Sequence, residues 1–163
     1  QYTLNDEYYK RIEAIQFTMN HDDGNLVKDI KNSDIILLGV SRTSKTPTSI
    51  YLANRGYKVS NIPIIPNKNL PESLFESSQK TFVVGLICDV SRLLDVRRNR
   101  IHSMHEDRPG EYVNEQGIIN ELESSKKLFQ KHNWPVIDVT RKSVEEIAAS
   151  VIKIHNIFTD NEQ

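Results

Sequence analysis

Asp34-Ile-Ile-Leu-Leu-Gly-Val-Ser-Arg-Thr-Ser-Lys-Thr46 is the stretch on which the reading of this chain turns. Its first half, residues 34–40, is almost wholly apolar, the pattern of a strand buried on both faces of a parallel sheet. Its second half, Gly39-Val-Ser-Arg-Thr-Ser-Lys-Thr46, has the layout of a phosphate-binding loop: strand, tight turn, then Lys-Thr at the mouth of a helix. Successive backbone N–H groups in such a turn form an anion cradle, and the helix that follows adds the positive end of its dipole. In that reading Lys45 reaches the terminal phosphates and the Thr46 hydroxyl ligates Mg²⁺. Ser44 stands where the pattern G-x-x-x-x-G-K-[ST] has its second glycine, and the bare pattern also fits a plain strand–turn–helix junction. Pro47 disfavours the α region for Thr46, so helix entry is expected slightly late, with Pro47 in an early position where its missing N–H is harmless.

Outward from the loop, strand and helix patterns alternate. Tyr8, Ile12, Ile15 and Met19 recur at helical spacing across Asn5–Met19, and His21-Asp-Asp-Gly24 is a turn. Thr46–Arg55 reads as a helix stopped by Gly56, Lys58–Ile65 as a strand interrupted by prolines, and Pro71–Phe75 as a short helical turn. Thr81–Ile87 is a third strand, followed by a helix at Ser91–Ile101 with Leu93, Leu94, Val96 and Ile101 inward, and a polar loop at His102–Tyr112. Val113–His132 is a helix, Pro135–Val139 a fourth strand, and Ser143-Val-Glu-Glu146 a capping box opening a helix that buries Val144, Ile147, Val151, Ile154 and Phe158. The polar tail from Thr159 is expected to fray. The pattern predicts an α/β fold: a mostly parallel sheet of about four strands flanked by helices, in one domain over residues 1–163. Residues 1–33 form a helical lead-in carrying the Asp-Asp-Gly turn, and 34–158 the α/β core. Ligands of such sheets gather at the carboxyl ends of the strands, where the Gly39 loop lies.

The composition narrows the function classes. The chain has 163 residues, and 21 Lys and Arg against 22 Asp and Glu give a formal net charge of -1, unlike a dedicated nucleic-acid binder. The single cysteine, Cys88, excludes an intrachain disulfide framework and reads as a buried, inert thiol. No apolar run approaches a membrane span and no signal-peptide core is present, so a cytoplasmic protein without membrane attachment is expected. A chain that begins with Gln1 is read as processed, truncated or split.

Other candidates should follow strands as the loop does. Asp89 and Asp138 end or lie within apolar runs, where a P-loop enzyme keeps the carboxylate that holds Mg²⁺, although each also fits a helix or turn cap. Arg97 and Arg100 are three residues apart on one helix and suit a forked grip on one phosphate, or else a solvated face. Arg42, inside the loop, is better placed for phosphate. Asp22 and Asp23 could orient a hydroxyl or act as general base, or simply end the first helix. The histidines show no metal-ligand spacing.

The run from Gly39 through Pro47-Thr-Ser-Ile-Tyr-Leu-Ala-Asn-Arg-Gly-Tyr-Lys58 resembles the regulatory proteins of pyruvate, phosphate dikinase and of phosphoenolpyruvate synthase. The likeness continues through Tyr9-Lys-Arg-Ile-Glu-Ala-Ile15, Asp22-Asp-Gly24, Asn61-Ile-Pro-Ile-Ile-Pro66, Val84-Gly-Leu86, the Arg97–Arg100 region and Val136-Ile-Asp-Val-Thr-Arg-Lys-Ser-Val-Glu-Glu146. The resemblance implies a P-loop kinase-like, bifunctional enzyme. It would use ADP to phosphorylate a threonine of the dikinase or synthase, inactivating it, and inorganic phosphate to remove that group as pyrophosphate, restoring activity. It also implies that Gly39, Val40, Ser41, Arg42, Thr43, Ser44, Lys45 and Thr46 form the ADP site, with Mg²⁺ on Thr46. Lys45, Asp22, Asp23, Arg97 and Arg100 are the expected catalytic set, the arginines holding inorganic phosphate or the target phosphothreonine. An N-terminal region of the family is expected to be missing, and a homodimer is the default assembly. Two rivals remain at this stage: an ATP-dependent small-molecule P-loop kinase, and a truncated nucleotide-binding module without turnover.

Overall fold

The computed structural model describes residues 2–22, 27–66, 68–77, 81–104 and 114–161. In order, the elements are α1 (Tyr2–Asn20), a 3₁₀ turn (Val27–Asn32), β1 (Ile35–Gly39), α2 (Lys45–Asn54), β2 (Val59–Pro63) and α3 (Glu72–Ser77). They continue with β3 (Phe82–Ile87), α4 (Val90–Met104), α5 (Glu115–Lys131), β4 (Val136–Asp138) and α6 (Val144–Asn161). The four strands make one sheet ordered β2-β1-β3-β4, with every neighbouring pair parallel. Ile35 is paired with Val59 on one side and Phe82 on the other, so β1 is the central strand from which the loop springs. The chain leaves β1 for one neighbour and later returns to the other, and ligand crevices of open α/β sheets lie at such a reversal.

The expected α/β architecture is present, with strand limits within a residue or two. β1 is buried throughout, as its unbroken apolar run requires. Alternate side chains feed two cores. Ile35, Leu37, Val59, Phe82 and Val84 pack with Leu52 of α2 and Ile147 and Val151 of α6. Ile36, Leu38, Ile62 and Val83 pack on the opposite side with Ile30, Leu74 of α3, Phe129 of α5 and Trp134. Gly85 makes the second packing possible, because a Cβ there would fall 2.5 Å from the Phe129 ring. The capping box forms: Glu146 N–H donates to Ser143 Oγ at 3.2 Å and Ser143 N–H to Glu146 Oε1 at 3.3 Å.

Four expectations need correction. Helix entry is not delayed: α2 begins at Lys45, and Pro47 occupies its third position, where no N–H partner is needed. α4 runs on to Met104, beyond the expected loop start at His102; residues 105–113 lie outside the described residues. α6 extends through Thr159, whose hydroxyl bonds back to His155 O at 3.2 Å and Asn156 O at 3.0 Å. Tyr8 and Met19 do not face inward. They are 58% and 65% exposed, and α1 instead buries Ala14 and Thr18.

Small residues on that face bring α1 against the outer edge of β2, whose N–H groups would otherwise lack partners. Val59 N–H donates to Thr18 Oγ1 at 3.1 Å and Asn61 N–H to the His21 carbonyl at 3.4 Å. Lys58 pairs with Glu13 at 2.7 Å on the same flank. The end of α1 is thereby delivered to the carboxyl end of the sheet.

Gly85→Ala is expected to destabilise the protein by about 1–3 kcal/mol, because the added methyl overpacks the Phe129 contact. Denaturant unfolding of the two proteins measures it.

Candidate active site at the phosphate loop

Residues 40–44 turn the chain from β1 into α2, and their shape is held from within. The Val40 carbonyl accepts from Thr43 Oγ1 at 2.8 Å and from Lys45 Nζ at 2.9 Å. Gly39 permits this compact turn, since a Cβ there would lie 2.6 Å from Thr43 Oγ1 and 3.1 Å from Leu86 O. Ser44 has φ 65° and Arg42 φ 71°, both in the left-handed region that costs an L-residue of order 1–2 kcal/mol. Ser44 thus adopts the conformation for which the common loop pattern supplies glycine. Lys45 and Thr43 are buried, Ser41 and Thr46 half-buried, and Arg42 exposed.

Arg97 and Arg100, expected to share a phosphate, sit in different surroundings. Arg100 is exposed, whereas Arg97 is 1% exposed. The Arg97 guanidinium forks onto Glu121 of α5, Nη1 to Oε2 at 2.7 Å and Nη2 to Oε1 at 3.1 Å. Its Nη2 also donates to the Ser41 carbonyl at 3.3 Å. Arg97 therefore supports the loop from behind through a buried ion pair. The inward face of α4 holds this arginine beside Leu93, which an apolar stripe alone did not anticipate.

Asp22 is brought to the loop by the end of α1. Its Oδ1 accepts from Thr46 Oγ1 at 2.9 Å and from Asn61 Nδ2 at 2.5 Å. Asp23 lies outside the described residues. A hydroxyl and a carboxylate in contact are hard oxygen donors, the chemistry that Mg²⁺ prefers. Among the described residues no group of three or more His, Cys, Asp or Glu side chains is arranged to hold a metal.

The carboxylate of Asp138 is engaged at the end of β4, and Asp89 is tied there through its main chain. The Thr140 hydroxyl accepts from Asp89 N–H at 2.8 Å, and Thr140 N–H donates to Asp138 Oδ1 at 2.9 Å. Hydrogen bonding from the Thr140 hydroxyl, with help from its N–H, holds the Asp138 carboxyl below the ordinary aspartate value. The Asp89 main chain and the Asp138 carboxylate thus meet at Thr140 and join the ends of β3 and β4. Cys88 is buried, and burial, followed by the charge of Asp138, pushes its thiol up to about 11. At neutral pH it stays protonated and is no nucleophile.

A cleft of about 700 Å³ opens beside the loop, lined by Val40, Ile64, Leu70, Phe75, Glu121 and Leu128 among others. It is within the size range of small-molecule sites and joins the loop through Val40. Sequence reasoning missed Glu121 and Asn61, the partners that fix Arg97 and Asp22. Asn61 left one signal, an amide inside an apolar strand.

Arg97→Leu is expected to lower stability by about 3–5 kcal/mol, because it leaves the Glu121 carboxylate buried without its guanidinium. Arg97→Leu combined with Glu121→Leu should recover part of that loss, and urea unfolding of the two variants measures it. Native Cys88 is expected to resist iodoacetamide at pH 8, so that alkylation followed by mass spectrometry tracks unfolding.

Comparison with known proteins agrees with the resemblance. The model of the kinase/pyrophosphorylase family matches residues 1–152. A protein of Pelagibacter ubique (strain HTCC1062), named as a pyruvate, phosphate dikinase regulatory protein, is 58% identical over 161 residues. That match covers 99% of this chain and 59% of the relative. Proteins of the same name from Erythrobacter litoralis (strain HTCC2594) and Caulobacter vibrioides (strain ATCC 19089 / CIP 103742 / CB 15) are 49% and 47% identical, over 96% and 94% of this chain. The chain spans 56% and 49% of those two relatives, or about half their length. By the family match and these identities, the chain belongs to the kinase/pyrophosphorylase family.

Proposed function

We propose that this chain supplies the nucleotide-binding and phosphoryl-transfer part of a bifunctional regulator of pyruvate, phosphate dikinase or of phosphoenolpyruvate synthase. In one direction a target threonine hydroxyl attacks the β-phosphorus of ADP, forming phosphothreonine and releasing AMP. In the other, inorganic phosphate attacks phosphothreonine, freeing the hydroxyl and releasing pyrophosphate. The observation that carries the reading is the loop itself: Lys45 opens α2, its ammonium is folded onto Val40 O, and Thr46 touches Asp22.

The two reactions move one phosphoryl group between a threonine oxygen and a phosphate oxygen. AMP phosphate leaves in the first, and inorganic phosphate attacks in the second. One anion cradle serves both if these two phosphates occupy the same position. Catalysis is then chiefly alignment and charge stabilisation. In this reading Gly39–Thr46 binds the diphosphate, with Lys45 moving from Val40 O to the transferring group and Arg42 entering from solvent. Thr46 and Asp22 hold Mg²⁺, which when bound offsets negative charge on the phosphates. Asp22, or its neighbour Asp23, orients the acceptor hydroxyl. Arg97 holds the Ser41 carbonyl, leaving the exposed Arg100 as the arginine of that pair that reaches inorganic phosphate or phosphothreonine. The adjoining cleft supplies room for more of a substrate than its phosphates. The reaction is assigned to the cytoplasm.

A second reading is a module that binds nucleotide without turnover, which the same loop and its Thr46–Asp22 contact would serve. Incubating the chain with each target enzyme and β-labelled ADP, then mapping phosphothreonine, separates the two. Label on threonine supports the enzyme; tight ADP binding without transfer supports the module; a preference for ATP over ADP overturns both in favour of an ordinary P-loop kinase. Lys45→Ala is expected to reduce forward transfer and phosphorolysis alike, each by about 10²-fold or more, as loss of a charge-stabilising group in a dry site does. Loss of only one activity counts against the shared cradle.

A further inference from the structure

We propose that Asn61 is a positioning residue for phosphoryl transfer, acting through Asp22; the inference rests on the assignment of Asp22 to the Mg²⁺–nucleotide site. Asn61 lies within β2, opposite Leu37 of β1, and is 0% exposed. Asparagine is a poor strand former, and burying its amide is unfavourable unless its polar atoms find partners. Its bonds explain the placement. Backbone N–H donates to His21 O at 3.4 Å, and Nδ2 donates to Asp22 Oδ1 at 2.5 Å and Ser49 Oγ at 3.4 Å. One residue therefore fixes both the main chain and the carboxylate of the turn after α1. Ser49 Oγ in turn donates to Thr46 O at 2.7 Å, so β2, α2 and the turn are locked around the Thr46–Asp22 contact.

A carboxylate at the end of a helix has rotamer freedom, and a metal–nucleotide site needs it in one orientation. Two donors on Oδ1 impose that orientation before any ligand arrives, which is the arrangement that preorganised sites use. The Thr46 hydroxyl is one donor and belongs to the loop; Asn61 is the other and belongs to the sheet. Removing Asn61 leaves the loop intact but lets Asp22 swing away from Thr46.

The test is a double-mutant cycle read by titration calorimetry on the intact chain, with ADP in Mg²⁺ and ADP in EDTA. The quantity is the dissociation constant in EDTA divided by that in Mg²⁺, which isolates the Mg²⁺-dependent part of binding. Asp22→Asn is expected to lower this ratio about tenfold, Asn61→Leu by a similar factor, and the double variant no further, because coupled residues fail to add. Affinity in EDTA should change less than about threefold in each variant. A ratio unchanged in Asn61→Leu, or multiplying with Asp22→Asn, overturns the positioning role. A ratio unchanged in Asp22→Asn overturns the underlying assignment of Asp22 instead, so the two failures are distinguishable. Where Asn61→Leu does not unfold cooperatively, Asn61→Thr takes its place. Its shorter donor should lower the ratio to a value between those of the parent and Asp22→Asn, and parental affinity in that variant overturns the proposal.

Discussion

The Val40 carbonyl receives a hydroxyl from Thr43 and an ammonium from Lys45, and the site depends on that double bond. A five-residue turn entering a helix has few internal hydrogen bonds, and here two non-glycine residues sit at positive φ. Something must offset that strain. The closure onto Val40 does so from inside, the absence of a Cβ at Gly39 lets Thr43 approach, and the Arg97–Glu121 pair grips Ser41 O from outside. Buried ion pairs contribute little net stability because desolvation cancels much of their attraction. The value of this pair lies in geometry: it fixes α4 and α5 to one carbonyl of the loop.

The opposite flank follows from a different constraint, the unpaired edge of β2. An edge strand must have its outward N–H groups satisfied, and here the Thr18 hydroxyl of α1 and the carbonyl of His21, just after it, do so. Covering that edge is a stability matter, yet it carries Asp22 to Thr46. The acid associated with the loop thus comes from the end of a helix rather than from the end of a strand. At the ends of β3 and β4, the Asp138 carboxylate and the Asp89 main-chain N–H meet at Thr140, which joins the two strands.

These particulars show what was legible in the sequence. The sheet was, because runs such as Ile35–Leu38 and Phe82–Ile87 are apolar without interruption and alternate with helix-patterned segments. The strand–turn–helix path of the loop was, because it is local in sequence: strand, turn, lysine and threonine are contiguous. The burial of Arg97 was not legible because spacing on a helix cannot say which face is buried, and its partner Glu121 lies 24 residues away. The stripe on α1 misled for a related reason. Ala14 and Thr18 bury better than Tyr8 and Met19 because close approach to β2 needs small side chains, which a hydrophobicity pattern undervalues. Asn61 and Asp22 are 39 residues apart, so their contact is visible only once β2 and α1 are side by side.

A backbone cradle has a consequence for specificity. Amide N–H groups and a helix dipole favour any phosphate, so by themselves they discriminate poorly between a diphosphate tail and a free phosphate. Discrimination must come from groups that touch what lies beyond the phosphates. Two such regions adjoin the loop and stand on opposite faces of the sheet. Asp22, braced by Asn61, lies on the face that carries α2, while the cleft lined by Ile64, Phe75 and Leu128 lies on the face that carries α5. A substrate that engages the cradle alone gains charge neutralisation; one that also meets the carboxylate or fills the cleft gains orientation. In the proposed reading, orientation would convert anion binding into transfer to one chosen oxygen, and the groups that could impose it are distant in sequence from the loop.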